Sequence, residues 1–297
     1  MSHRPLSGCG TALVTPFTPA GAVDEPALRA LVDWQIAEGI HFLVPCGSTG
    51  EAATLSVEEH ARVVAITVEQ VAGRVPVVAG AGSNDTQKAI ALSRMARDAG
   101  ATHLLHVSPM YNKPQQRGIV AHFATIAAAI DLPIVVYNVP GRTGSNIEAR
   151  TALELAAIPG IVAIKEASGN LGQIGDILRD RPASFAVLSG DDALTLPVMA
   201  LGGEGVISVT SNATPRRMTA LVDACAAGDF GAARAIHRQL QPWMAAAFCE
   251  SNPAPVKAGL AMMGRVANVV RLPLVPLADA LTPTVRSALA AAGALHA

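Results

Sequence analysis

Eight short runs rich in apolar and β-branched residues punctuate the chain: TALVTPF, HFLVPCG, VPVVAGAG, THLLHVSP, LPIVVYNVP, IVAIKEAS, FAVLSGDD and GVISVTSN. Their apolar positions are continuous rather than alternating, the pattern of strands covered on both faces, as in a parallel sheet. Seven helical patterns separate them. The clearest is SVEEHARVVAITVEQVAG, in which Ser56 and Glu59 have the spacing of a capping box and Gly73 marks a C-terminal stop. Eight strands with helices between them predict an α/β chain folded as a (β/α)8 TIM barrel. A doubly wound sheet is the competing arrangement, and it calls for a Gly-x-Gly-x-x-Gly turn. The nearest match, GAGSND, has Asp85 where the third glycine belongs.

From about residue 215 the chain reads as helical: RRMTALVDACAAG, DFGAARAIHRQLQPWMAAAF, PAPVKAGLAMMG and PTVRSALAAAGAL. One helix is needed to close the barrel, and the others exceed that need. The expected division is a barrel core over residues 1–215 carrying the catalytic site, with its final helix running on to about 228, and a C-terminal helical bundle over 229–297.

Composition sharpens this picture. Of 297 residues, 51% are hydrophobic and 15% charged, against roughly 25% charged in an average soluble protein. So few charges imply a large core and further apolar surface buried between subunits. A net charge of −1 offers no general attraction for nucleic acid or an anionic membrane. No apolar stretch approaches the roughly 18 residues of a membrane helix. The start, MSHRPLSGCGTALVTPF, lacks a long apolar core, so no secretion signal is expected. Cys9, Cys46, Cys225 and Cys249 have neither zinc-ligand nor redox-pair spacing, and are read as small buried hydrophobes of a reducing cytoplasm.

Barrel enzymes carry their chemistry at the C-terminal ends of the strands. Those ends hold GSTGE (Gly47 to Glu51), SPMYNKP, YNVPGRTG, Lys165 with Glu166, and GDD (Gly190 to Asp192). The chain has four lysines; Lys88, Lys113 and Lys257 fall in helical or loop contexts where a lysine reaches water, and Lys165 alone belongs to a strand. Two readings of Lys165 stand at this point. It is a buried ion-pair partner of Glu166, or it is an amine held neutral by desolvation and able to attack a ketone. The chain's two tyrosines, Tyr111 and Tyr137, both fall at or just beyond strand ends, where a phenol can pass protons. Ser48 and Thr49 offer relay hydroxyls in a glycine-flanked turn that could also bind a carboxylate through its backbone; Ser48 with Glu51 equally fits a helix cap. Arg142 is either a carboxylate fork or a solvated loop residue. Asp191 and Asp192 precede a helical stretch and are read as N-caps. His60 lies inside a helix pattern, and His103 and His106 flank the fourth strand. No His/Asp/Glu set has metal-ligand spacing, so no metal is expected.

Through GSTGEAATL, SPMYNKP, YNVPGRTG, IKEASGN, LSGDD, GVISVTSN and NPAPVK, the chain resembles the dihydrodipicolinate synthase (4-hydroxy-tetrahydrodipicolinate synthase) family of pyruvate-dependent class I aldolases. The likeness runs from about Gly10 to Leu295. It implies a Schiff base between Lys165 and pyruvate, with Tyr137 as the adjacent proton donor and acceptor. Ser48 and Tyr111 would complete the relay, Tyr111 reaching in from a neighbouring subunit. Thr49 and the backbone of Ile207 would hold pyruvate, with Gly190 as a further substrate-binding position, and Arg142 would bind the carboxylate of aspartate semialdehyde. The resemblance further implies no external cofactor and a homotetramer built as a dimer of dimers.

Some positions depart from the family pattern. Ser48 stands where threonine is usual, which keeps the hydroxyl and loses the methyl that limits its rotamers. Val57, Lys88 and Met110 replace the histidine, glutamate and tyrosine of lysine-inhibited relatives, while His60 and Asn84 remain; weak or absent lysine feedback is expected. The alternatives are a sister lyase or dehydratase acting on another 2-keto acid, such as a sialate or keto-deoxy-sugar acid, and a non-catalytic keto-acid-binding barrel.

Overall fold

The computed structural model describes residues 6–295. The first residues of the segment read for a secretion signal, and the last two of the C-terminal bundle, lie outside the described residues. Eight parallel strands form one sheet: β1 (Gly8–Ala12), β2 (Phe42–Val44), β3 (Val78–Gly80), β4 (His103–Val107), β5 (Ile134–Asn138), β6 (Ile161–Glu166), β7 (Ala186–Ser189) and β8 (Gly205–Ser208). Their order is β2-β1-β8-β7-β6-β5-β4-β3. A bridge between Leu43 and Val77, with Leu43 N donating to Pro76 O at 3.0 Å and Gly80 N to Pro45 O at 2.9 Å, joins the ends into a barrel. The doubly wound alternative is thereby excluded.

The helices between the strands are α1 (Glu25–Ala37), α2 (Val57–Val71), α3 (Thr86–Asp98), α4 (Gln116–Ala129), α5 (Pro140–Thr143), α6 (Ala149–Ala156), α7 (Leu171–Asp180) and α8 (Thr195–Ala200). After β8 come α9 (Pro215–Ala226), α10 (Phe230–Ala246), α11 (Ala254–Met262) and α12 (Thr282–Ala291). In α2 both halves of the capping box form: Ser56 Oγ accepts from Glu59 N, and the Glu59 carboxylate accepts from Ser56 N. The helix ends at Val71, with Ala72 and Gly73 both left-handed.

The continuous apolar runs serve two cores. Strand side chains alternate between faces, so Ile134, Val136, Ile164 and Val187 pack against the helices. Val135, Tyr137, Ala163 and Leu188 fill the barrel. Phe42 crosses this interior over Gly10, where a Cβ would lie 1.9 Å from its ring; a side chain at position 10 is therefore excluded. Between β1 and β8, Asn212 Nδ2 donates to Ala12 O at 2.7 Å and to Val209 O at 2.9 Å, while Val14 N donates back to Asn212 Oδ1 at 3.0 Å.

Several expectations need correction. Lys257 does not reach water: it is fully buried against Glu51, because α11 is apolar on all its faces. Lys88 and Lys113 are exposed. His103 and His106 lie within β4 rather than beside it. Cys9, Cys46 and Cys225 are buried, but Cys249 is only partly so.

Candidate active site

β5 and β6 pair in register, Tyr137 opposite Lys165 and Asn138 opposite Glu166. Alternation then sends the two pairs to opposite sides of the sheet. Tyr137 and Lys165 face the barrel interior, and Lys165 Nζ lies 4.2 Å from the centroid of the Tyr137 ring. Asn138 and Glu166 face outward. There Glu166 accepts from Asn138 Nδ2, from Gln173 Nε2 at 3.2 Å and from Ser168 N at 2.6 Å. The ion-pair reading of Lys165 with Glu166 is therefore wrong: neighbours along a strand cannot share a face.

Lys165 is 4% exposed, and no carboxylate pairs with it among the described residues. Burial pulls its ammonium down to about 8, opposed by the negative charge of Asp192 and assisted by the Arg142 guanidinium. At that value roughly one molecule in ten is neutral at pH 7, against about one in three thousand for an ordinary lysine. Burial pushes the Tyr137 phenol up to about 12, with Arg142 pulling the other way, so the phenol keeps its proton at neutral pH and is a donor. Burial also lowers Lys257 to about 8. Lys257, however, is sealed in, 2.5 Å from Glu51 Oε1. A lowered pKa alone does not pick out the nucleophile; the cavity does.

That cavity, of about 360 Å³, is lined by Ser48, Thr49, Tyr137, Arg142, Lys165 and Gly190. Each comes from a different requirement of the fold. A Cβ on Gly190 would lie 3.1 Å from both Cε and Cγ of Lys165, so glycine leaves the lysine stem its path. Arg142, on the short helix α5, is exposed and makes no ion pair among the described residues. Its guanidinium fork is open to a carboxylate. Ser48 is exposed at the cavity and Thr49 is buried, with its Oγ1 accepting from Asn252 Nδ2 at 2.8 Å.

Two candidate residues stay apart from this group. Tyr111 is 89% exposed and left-handed at φ 73°, outside the cavity of its own chain. The Ile207 side chain is packed inside the barrel below the cavity lining, and its strand pairs with β7 only as far as Val206. The helix-cap reading of GSTGE is also corrected. The Glu51 side chain turns away from Ser48 to Lys257 and to Arg271 N. Asp191 is the N-cap expected, accepting from Ala193 N at 2.9 Å. Asp192 is not a cap: it is buried, and its Oδ2 accepts from Val209 N at 3.0 Å and Thr210 N at 3.1 Å. Among the described residues no group of three or more His, Cys, Asp and Glu comes together as a metal site.

A second cavity of about 520 Å³ adjoins the first and shares Ser48, Tyr137 and Arg142. His60 and Met110 line it, whereas Val57, Asn84 and Lys88 are exposed outside its lining. The sequence reading overlooked what the C-terminal helices add to the first cavity. Met244 and Phe248 form an apolar wall, and Asn252 holds Thr49. One signal for this was present. Lys257 stands among apolar residues on every side of α11, and a lysine so placed needs a buried partner.

The model of the dihydrodipicolinate synthetase family matches residues 5–292. The 4-hydroxy-tetrahydrodipicolinate synthase of Koribacter versatilis (strain Ellin345) is 55% identical over 273 residues, covering 92% of this chain and 91% of that relative. That of Nitratidesulfovibrio vulgaris (strain DP4) is 52% identical over 291 residues, covering 98% and 99%. Among solved structures, the dihydrodipicolinate synthase of Aquifex aeolicus superposes with a TM-score of 0.94 at 43% identity, covering 96% of this chain and 97% of that one. The chloride-inhibited dihydrodipicolinate synthase of Acinetobacter baumannii complexed with pyruvate gives 0.96 at 42% identity, covering 97% and 99%.

Proposed function

The chain belongs to the dihydrodipicolinate synthetase family, and from that premise we propose how its residues work. It is a lyase that condenses pyruvate with L-aspartate 4-semialdehyde to give 4-hydroxy-tetrahydrodipicolinate, a step of lysine and diaminopimelate biosynthesis. The observation that carries the mechanism is an unpaired, desolvated lysine nitrogen in a cavity, 4.2 Å from the ring of a protonated phenol.

Neutral Lys165 Nζ adds to the ketone carbon of pyruvate, and the oxygen takes a proton from Tyr137. The carbinolamine hydroxyl leaves as water, giving a protonated imine. That cation is the electron sink, so the scheme needs no external cofactor. The pyruvate methyl carbon gives a proton back to the Tyr137 oxygen, and the resulting enamine forms a carbon–carbon bond to the aldehyde carbon of the semialdehyde. The aldehyde oxygen takes that proton from Tyr137 and becomes the hydroxyl of the product. The substrate's own amine then attacks the imine carbon and displaces Lys165, which closes the ring and frees the enzyme.

Ser48 and a Tyr111 from a neighbouring subunit extend the proton path from Tyr137. Thr49 and the Ile207 backbone hold pyruvate beside Gly190, and Arg142 binds the carboxylate of the semialdehyde. The exposure of Tyr111, Leu272 and Val275 supports a chain that completes its site on association; the dimer of dimers is the arrangement the family resemblance implies. Four free cysteines support a reducing cytoplasmic setting. No helix among the described residues is long and apolar enough to cross a membrane.

Borohydride reduction in the presence of pyruvate tests the proposal. Peptide mapping is expected to find, on Lys165, the mass of pyruvic acid less one oxygen atom. An unmodified Lys165, or an adduct on another lysine, refutes it.

A further inference from the structure

The turn that carries Ser48 and Thr49 has left-handed residues at both ends, Cys46 at φ 56° and Glu51 at φ 54°. Neither is glycine, and such a backbone persists only where its surroundings over-determine it. Three side-chain contacts stand out among those that hold this one. Thr15 Oγ1 donates to Gly50 O at 2.6 Å. Asn252 Nδ2 donates to Thr49 Oγ1 at 2.8 Å. Glu51 Oε1 lies 2.5 Å from Lys257 Nζ, with both side chains 0% exposed. Two of the three reach in from one place, α11 and the residues just before it.

The ion pair is itself fixed. Lys257 Nζ also donates to Val269 O at 2.8 Å, and Glu51 Oε2 accepts from Arg271 N at 3.0 Å. Both cations sit over the ring of Phe17, Lys257 Nζ at 4.1 Å and the Arg271 guanidinium carbon at 4.3 Å. Phe17 lies in the loop that follows β1, so the cluster ties the ends of β1 and β2 to the C-terminal segment. A buried pair of this kind adds little net stability over an apolar pair of the same volume. What it adds is direction: a charged tether of fixed length sets where the turn stops.

We propose that Glu51 and Lys257 are positioning residues for pyruvate binding, acting through the Ser48–Thr49 turn, so that α11 is a working part of the site. This rests on the reading of Lys165 and Thr49 given under the proposed function. Neither residue touches substrate; each acts through Thr49, whose hydroxyl and backbone must meet pyruvate.

The test compares wild-type protein with the E51Q/K257M double variant, which removes both charges together and leaves neither stranded. Cooperative melting establishes that the variant is folded. The expected result is a KM for pyruvate raised roughly tenfold or more, the scale of losing one charge-assisted hydrogen bond, with a smaller change in kcat. The pH midpoint of imine formation stays where it is, because Lys165 is on β6 and its burial is untouched. A folded double variant with wild-type KM overturns the proposal. Should that variant fail to fold, E51D decides: it keeps both charges and shortens the tether by one methylene, and an unchanged KM overturns the proposal equally. Wild-type protein that traps no pyruvate overturns the reading of Lys165 and this inference together, whereas failure confined to the variants overturns this inference alone.

Discussion

Asn138 Nδ2 donates to both carboxylate oxygens of Glu166, at 3.2 and 3.0 Å, on the face of the sheet opposite Lys165. The residue next to the nucleophile in the chain is thus a bracket between β5, β6 and α7. Glu166→Gln is expected to lower stability by about 1–3 kcal/mol, since an amide nitrogen then faces the Asn138 and Ser168 donors. The pH dependence of imine formation should not move. Thermal denaturation and borohydride trapping across pH check both halves, and a displaced pH midpoint would put Glu166 back in the electrostatics of the site.

Lys165 costs the fold stability. An unfolded chain holds the lysine proton up to about pH 10.5, while the folded one releases it near 8, so below pH 8 folding must desolvate a charge. Below pH 8 that cost is constant, and between about pH 8 and 10.5 stability rises with pH as the folded chain releases a proton the unfolded one keeps. Lys165→Met should be inactive and more stable at pH 7, by about 3 kcal/mol on the scale of the shift. Calorimetry at pH 7 and pH 10 reads this directly; a gain equal at both values contradicts the account.

Asp192 opposes the burial that makes Lys165 reactive. Removing its charge as Asp192→Asn lets the ammonium titrate lower. The acid limb of imine formation, which should rise tenfold per pH unit below about 8 in the wild type, is expected to shift toward lower pH. Rapid-mixing measurement of imine formation from pH 6 to 9 checks it, and a shift the other way rejects it.

His106 is buried in β4, with Nε2 3.1 Å from Ser93 Oγ and no partner at Nδ1 among the described residues. Burial, with His122 adding to it, brings its pKa down to about 3. The folded protein therefore refuses a proton that the unfolded chain takes up near 6.5. This stability is present above pH 6.5 and is lost as pH falls below it, by about 2 kcal/mol at pH 5. His106→Asn should flatten that limb in denaturant titrations at pH 5 and 7.

Tyr111→Phe should cut turnover while leaving the melting temperature of the chain near wild type, because an exposed ring contributes little to its own fold. If Tyr111 serves a neighbour's site, mixing it with an excess of Lys165→Met protein, followed by subunit exchange, should restore part of the activity. No recovery after demonstrated exchange argues against a shared site.

Much of this was written in the order of residues. Eight apolar runs separated by helical patterns require a sheet buried on both faces; a barrel and a doubly wound sheet both meet that need, the glycine pattern favours the barrel, and the Leu43–Val77 bridge that closes the sheet decides it. A lysine in a strand, two tyrosines at strand ends and a Gly-Ser-Thr-Gly turn mark one end of it. Composition and local pattern suffice there because each signal belongs to a single element. Partnership does not. Alternation along one strand keeps Lys165 from Glu166, but whether Lys165 meets Tyr137 depends on the register between β5 and β6. Lys257 could be seen in a helix, but that its partner would be Glu51 follows only when α11 comes against the turn after β2. Distances across the barrel are set by how the cores pack, and no run of neighbouring residues contains that information.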